Sequence, residues 1–343
     1  MKERTEHTYR IDNMRAVAIL LVVFAHSVII YDPAWTWFSS VHEAAFLRDV
    51  KTVIAMIHMP IFTFLSGYLF HKKPQRSSFP KLLRDKAKRI LIPYFVFALF
   101  WMIPIKLLVG FSQYTEVSFG ELVLKGIVLG QYNGHLWYCY FIFAAFVVAY
   151  LLYHGVKRVA NRLGKPCSDE GVYAILLAVA VLLYAMKNSS LLNVPGVSRM
   201  LKRFCGNFVW FCFGSLTGAY LEQRSIPRAL AVGVKYGSLA GFCLTVFFYF
   251  RGVKLLSAGI GLLGILGSYC IVPAKPVKAL SALAKNSFGM FLFHSPFVYV
   301  TFTYLPDISP VWMVLINFGL FGTAAYAATI LLRRTRLKFI LGE

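Results

Sequence analysis

The sequence predicts an all-α polytopic membrane protein of about ten transmembrane helices, N- and C-termini cytoplasmic, forming a single membrane-embedded domain over residues 1–343. Three observations predict it. Of the 343 residues, 58% are hydrophobic and 15% charged, with a mean hydropathy of +0.65, values that exclude most soluble classes. Apolar runs of the ~17–25 residues needed to cross a ~30 Å hydrocarbon core recur along the whole chain. The charge is lopsided, with 36 Lys and Arg against 14 Asp and Glu for a net +22, and it sorts to one side of the predicted helices.

Taken in order, the first run is 15–31. The polar segment 1–14 before it has no apolar core with a small-residue cleavage site, so the run is expected to stay in the mature protein. Run 53–70 contains Pro60, which removes a helical donor and can kink the helix beside His58. Run 90–109 follows the most basic loop, 71–89. Run 135–154 opens with Gly134-His-Leu-Trp137, an interfacial aromatic pattern. Run 172–187 is short and needs Lys187 and Asn188 as snorkelling ends. Runs 204–221 and 231–250 follow. In 254–272, Gly259, Gly261, Gly264 and Gly267 read as close helix packing; without a strand before them they are not a phosphate loop. The series closes with 286–305 and 311–332.

With the N-terminus inside, 26 of the 36 basic residues and 8 of the 14 acids fall on inner segments, leaving about +18 inside and +4 outside. This is the positive-inside pattern. It accounts for the basic charge without nucleic acid, for which no aromatic-rich basic module or soluble domain is present. One outer segment breaks the pattern: Lys187, Arg199, Lys202 and Arg203 meet either headgroups or an anionic partner. Six cysteines lie mostly inside apolar runs with no Cys-x-x-Cys pair, so reduced thiols and no structural metal are expected.

The first run carries the most informative stretch. At ~100° per residue, the eleven steps from Arg15 to His26 return to within about 20° of one face, ~16 Å deeper. Asp12 and Arg15 are i, i+3 neighbours on that stripe. A histidine at such depth faces protein or a wet cavity, because hydrocarbon offers its ring no partner. It reads either as a satisfied core residue or as a base for proton transfer. His58, His135 with Trp137, and His294, which shares a face with Ser287, make a common polar interior more economical than separate core residues. In loop 71–94, Lys81, Arg84 and Lys88 share a helical face, with Arg89 next to it. That cluster reads as topology signal and lipid contact, or as a phosphate-binding entrance.

These passages resemble the integral-membrane acyltransferase 3 family, which includes bacterial polysaccharide O-acetyltransferases. The resemblance is carried by Asp12-Asn-Met-Arg15 through His26-Ser27, His58-Met-Pro-Ile-Phe-Thr-Phe-Leu-Ser66-Gly67, Arg89-Ile-Leu-Ile-Pro-Tyr94, His135-Leu-Trp137 and Asn286 through His294. It implies acyl transfer, usually of acetyl, from cytoplasmic acetyl-CoA as co-substrate to a hydroxyl of a surface carbohydrate or lipid-linked glycan. No permanently bound cofactor is implied. By position, His26 would be catalytic, with Asp12 and Arg15 supporting it, and Arg84, Lys88 and Arg89 would lie near the donor. His58, Ser66, His135, Trp137 and His294 are cavity or acceptor-side candidates.

Acyl transfer needs a base or nucleophile and donors for the tetrahedral oxyanion. His26 suits either role. Asp12, roughly 20 Å away along an unbroken helix, cannot orient it, so Asp12 is expected to position Arg15 or to cap the first helix. With Glu343 eleven residues past the last run, no fused soluble domain is expected. The competing readings are a transporter, against which no second copy of the Pro60 passage is evident in the latter half, and a non-catalytic assembly subunit. The expected location is the cytoplasmic (inner) membrane among its lipids. The sequence leaves the acceptor, the acyl group and the oligomeric state open, a homodimer included.

Overall fold

A computed structural model describes residues 6–72, 77–224 and 227–343. The start of the N-terminal segment and part of the basic loop, Lys73 to Arg76, lie outside the described residues, as do Ser225 and Ile226. The described residues contain helices and no strand. Ten long helices dominate: α1 Glu6–Ser27, α2 Ala45–Phe70, α3 Phe79–Leu108, α4 Gly134–Arg162, α5 Asp169–Asn188, α6 Ser198–Gln223, α7 Arg228–Phe250, α8 Lys254–Ile271, α9 Lys278–Tyr304 and α10 Pro310–Arg333.

Each coincides with a predicted run, and the differences have physical causes. α3 starts eleven residues before its apolar run, so Arg84, Lys88 and Arg89 ride on the helix itself. It also carries wide, five-residue turns at Ala87–Leu91 and Ala98–Met102. Pro93 and Pro104 follow these turns and withhold the amides that Arg89 and Phe100 carbonyls would otherwise accept. α5 reaches Asn188, and Lys187 at its end rests its ammonium 3.8 Å from the Tyr184 ring centroid. Helix α1 begins at least six residues before Asp12, so Asp12 is not a helix cap; that expectation is corrected.

Seven helices, α2 to α5, α7, α8 and α10, are long and apolar enough to cross a membrane. The other three, α1, α6 and α9, have 22, 26 and 27 residues but carry more polar side chains. They are also well covered: α9 buries Asn286, Ser287, His294, Ser295 and Thr301, whereas on α7 Ser238 is the buried residue. A helix can hold polar groups where neighbouring protein, rather than lipid, surrounds it.

The chain divides into two compact units. The first holds Met1–Phe62, Phe100–Tyr114 and Pro227–Leu341. Here Ile19, Val22 and Leu292 on α1 and α9 are fully buried, and α9 packs on α10 where Gly289 lacks the Cβ that would meet Thr329 at 2.3 Å. Gly264 of α8 likewise gives way to Ile57 of α2, where a Cβ would lie 2.5 Å away, as its glycine spacing predicts. The polar start of α1 satisfies the open carbonyls at the end of α8. Arg10 donates to Tyr269 O and Val272 O at 2.9 and 3.1 Å, and Asn13 to Pro273 O and Lys275 O at 2.8 and 3.1 Å, groups that a helix end leaves without partners.

The second unit holds Thr63–Leu99, Thr115–Ile226 and Gly342–Glu343. Its centre is a crossing of α2 and α6 without side chains between the backbones. A Cβ on Gly67 would lie 1.9 Å from Phe211 O, and one on Gly214 2.0 Å from Phe64 O. Gly342, at φ +77°, sits against the Arg89 carbonyl that Pro93 releases.

Candidate active site

The first unit brings three predicted histidines together. His26 of α1 sits with His294 of α9, ring centroids 5.0 Å apart and planes 75° to one another. His58 of α2 lies within electrostatic range of both. His58 and His294 are 7% and 1% exposed.

The same local rule fixes all three rings. Each turns its Nδ1 back to a carbonyl of the preceding turn: His26 to Val22 O at 2.9 Å, His58 to Ile54 O at 2.6 Å, and His294 to Phe291 O at 2.9 Å and Met290 O at 3.1 Å. A carbonyl only accepts, so Nδ1 carries the proton and Nε2 is the basic nitrogen of each neutral ring. His294 Nε2 faces His26 Nδ1 at 3.4 Å, a second, longer acceptor for the same proton. A positive charge arising on His26 would therefore meet a carbonyl and an imidazole lone pair.

His58 and His294 share a further pattern, His58-Met-Pro60 and His294-Ser-Pro296, both inside helices. The expectation that the latter half lacks a counterpart to the Pro60 passage is corrected to this extent. Each proline withholds the amide from the carbonyl four residues back, Met56 and Leu292, and so loosens the turn that bears the histidine.

Asp12 and Arg15 form the expected i, i+3 pair at 3.4 Å, about a quarter exposed. They sit near the start of α1, some three turns from His26.

Several residues of this unit were not singled out by sequence. Lys51 lies in electrostatic range of His26 and His58 and is paired with Asp32. Burial pushes the Asp32 carboxyl up, but hydrogen bonds from Lys51 and the Ala34 amide, with Arg48 nearby, outweigh it and hold the group below its ordinary value. Asn317 of α10 accepts from Thr301 at 2.7 Å and donates to Ser27 O at 3.2 Å, tying α9 and α1 together beyond the histidines. Lys106 is 2% exposed, its ammonium 4.4–4.8 Å from the ring centroids of Phe111, Tyr114 and Tyr299, an aromatic cage for a cation. Its signal was present: it is the single cation inside run 90–109.

The second unit holds the remaining candidates at its two ends. At one end Arg84, Lys88 and Arg89 are exposed, Arg84 reaching Asp85 at 3.9 Å. Between them Lys86 turns inward, its ammonium 3.2 Å from the Phe146 ring centroid. At the opposite end His135 is buried in the turn that opens α4, and the Trp137 ring carries the Arg203 guanidinium 4.9 Å from its centroid. Ser66 of α2 meets the Tyr138 hydroxyl at 3.4 Å.

Comparison with known proteins adds one family and one relative. The family described as "Acyltransferase domain" matches residues 8–334, a span containing every candidate above. Nodulation protein NolL of Sinorhizobium fredii (strain NBRC 101917 / NGR234) is 27% identical over 221 residues, 62% of this chain and 50% of the relative. The chain thus spans about half the length of this curated relative. No solved structure matches.

Proposed function

The chain belongs to the acyltransferase-domain family, and from that premise we propose that it is a multi-pass inner-membrane O-acyltransferase. It takes an acetyl or similar acyl group from a cytoplasmic acyl-CoA and delivers it to a hydroxyl of a cell-surface or lipid-linked carbohydrate. Ten spans, with both termini cytoplasmic, complete the reading.

The observation that carries it is the His26–His294 pair. His26 Nδ1–H is held by Val22 O and faces His294 Nε2, so His26 Nε2 is the nitrogen that takes a proton. In the proposed step it removes the acceptor's hydroxyl proton. The oxygen then forms a C–O bond at the thioester carbonyl, the C–S bond breaks, and the proton passes to the departing CoA thiolate. His294 stabilises the imidazolium that forms in between. Arg15, held by Asp12, is the nearest cation on the same helical stripe. Arg84, Lys88 and Arg89 suit the phosphates of the donor.

The test is label transfer from acetyl-CoA carrying a radioactive acetyl group into the carbohydrate fraction of membrane vesicles that contain the protein. His26→Ala, inserted at wild-type level, is expected to lose ~10²–10⁴-fold in rate. Equal transfer by both proteins removes His26 from the mechanism.

A further inference from the structure

The second unit contains a solvent-open cavity of about 560 Å³ at the head of α6, lined by Ser198, Arg199, Lys202 and Arg203. It is wide at the mouth, as suits the head of a larger molecule, and its charge is of one sign. Among the described residues no carboxylate lies within ion-pair distance of these three cations, although each is tethered to a neutral partner. Arg199 donates to Gln131 O at 2.6 Å, Lys202 to Asn193 Oδ1 at 2.7 Å, and Arg203 rests on the Trp137 ring.

An anion would stabilise this arrangement. Arg199 and Arg203 are i, i+4 neighbours, and like charges at that spacing repel. Lys187 and the three cavity cations make this the basic cluster that the charge sorting leaves unexplained. The tethers hold the cations in place beforehand, which lowers the ordering cost of binding. Guanidinium groups fixed by a carbonyl and an indole face suit the oxygens of a phosphoryl group, with its multiple charges, better than a single carboxylate.

We propose that this cavity binds the phosphate or diphosphate group of a phosphate-bearing glycan or glycolipid, which is the acceptor class of the enzyme. The proposal rests on the acyltransferase reading for the word acceptor, but not for the binding itself. The cavity shares its end of the unit with His135 and Trp137, and lies at the opposite end from Arg84, Lys88 and Arg89. One basic cluster therefore serves the acceptor's phosphate and the other the donor's.

The experiment measures binding of radiolabelled inorganic pyrophosphate to the full chain in nanodiscs of neutral phosphatidylcholine, in an Arg84→Gln/Lys88→Gln/Arg89→Gln background that removes the other basic cluster. Saturable binding is expected. It weakens at least tenfold in Arg199→Gln/Arg203→Gln, stays within about threefold in Arg199→Lys/Arg203→Lys, and is unchanged in Arg158→Gln/Arg162→Gln on the far end of α4. No saturable binding with the cavity intact, or equal binding by the Gln pair, overturns the proposal. If the Gln pair unfolds, Lys202→Gln, which gives up one exposed hydrogen bond, carries the test with a smaller loss, and unchanged binding there overturns it. A second arm adds phosphatidylglycerol to the disc. Pyrophosphate binding that survives supports an acceptor site, whereas complete displacement assigns the cavity to lipid headgroups and overturns it. Pyrophosphate binding needs no acyl donor, so loss of acetyl transfer with binding intact would sink the catalytic reading alone.

Discussion

Because a carbonyl holds Nδ1–H in each of the three imidazoles, substitutions at His294 separate geometry from bulk. His294→Gln, whose amide oxygen can still accept from His26, is expected to keep part of the turnover. His294→Phe is expected to lose ~10–100-fold in kcat with KM for the acyl donor unchanged, and the pH–rate profile should move with it. Equal kinetics for His294→Phe and wild type would reduce His294 to packing. Lys106 sets a different balance. Burying an ammonium costs several kcal/mol, and three aromatic faces return ~0.5–2 kcal/mol each. Lys106→Met is therefore expected to melt at or above the wild-type temperature, and Lys106→Ala below it, with the ~2–5 kcal/mol loss of stability typical of a core cavity. A sharp drop in melting temperature for the Met variant would contradict this balance. The stripe of Asp12, Arg15 and His26 was legible because three residues on one helix follow from its period. The pairing of His26 with His294 was not, since a contact 268 residues apart depends on which helices become neighbours. Lys106 was passed over because a lone cation near the end of an apolar run reads as a snorkelling end until its cage is seen.

At the scale of elements, the crossing of α2 and α6 allows no side chain at Gly214, where a Cβ would lie 2.0 Å from a backbone oxygen. Gly214→Val is expected to separate the helices and abolish folded protein on size exclusion, while Gly233→Val, with nothing within 4 Å of its Cβ position, should be silent. The Asp32–Lys51 pair fastens the segment after α1 to the start of α2. Asp32 is held below its ordinary value in the folded state, so its contribution to stability is present above about pH 4. It is lost as pH falls through the depressed native value. A melting curve of Asp32→Asn should thus differ from wild type near neutrality and converge on it in strong acid; a constant difference across that range would refute the linkage. Glycine spacing announced close packing in α8, but Gly67 and Gly214 belong to different helices and their fit was invisible in either one. The roles of Arg10 and Asn13 were not legible, because capping the end of another helix leaves no mark in local sequence.

For the whole molecule, the apolar runs located every long helix, but hydropathy does not single out the helices that bear the candidate site. Seven helices are apolar enough to cross a membrane, α2 with His58 among them, while α1 and α9, which bring His26 and His294 together, are not. The ten-span reading makes a direct prediction. In a cysteine-free background, Ser77→Cys, Lys165→Cys and Thr335→Cys should react with an impermeant maleimide only after cells are opened, and Val41→Cys, Asn193→Cys and Asp307→Cys in intact cells. Labelling of Ser77→Cys and Asn193→Cys from the same side would require a different number of crossings between them. The polarity of α9 also bears on how the protein is made. A segment bearing Asn286, Ser287, His294, Ser295 and Thr301 gains little by leaving the translocon for lipid on its own. Its partition into the bilayer depends on finding α1, already inserted, and then α10. Formation of the His26–His294 pair is therefore a late, post-insertion assembly step, and in a nascent chain arrested before α10 a cysteine placed at Ser295 should react with a water-soluble maleimide that the same cysteine in the full chain resists.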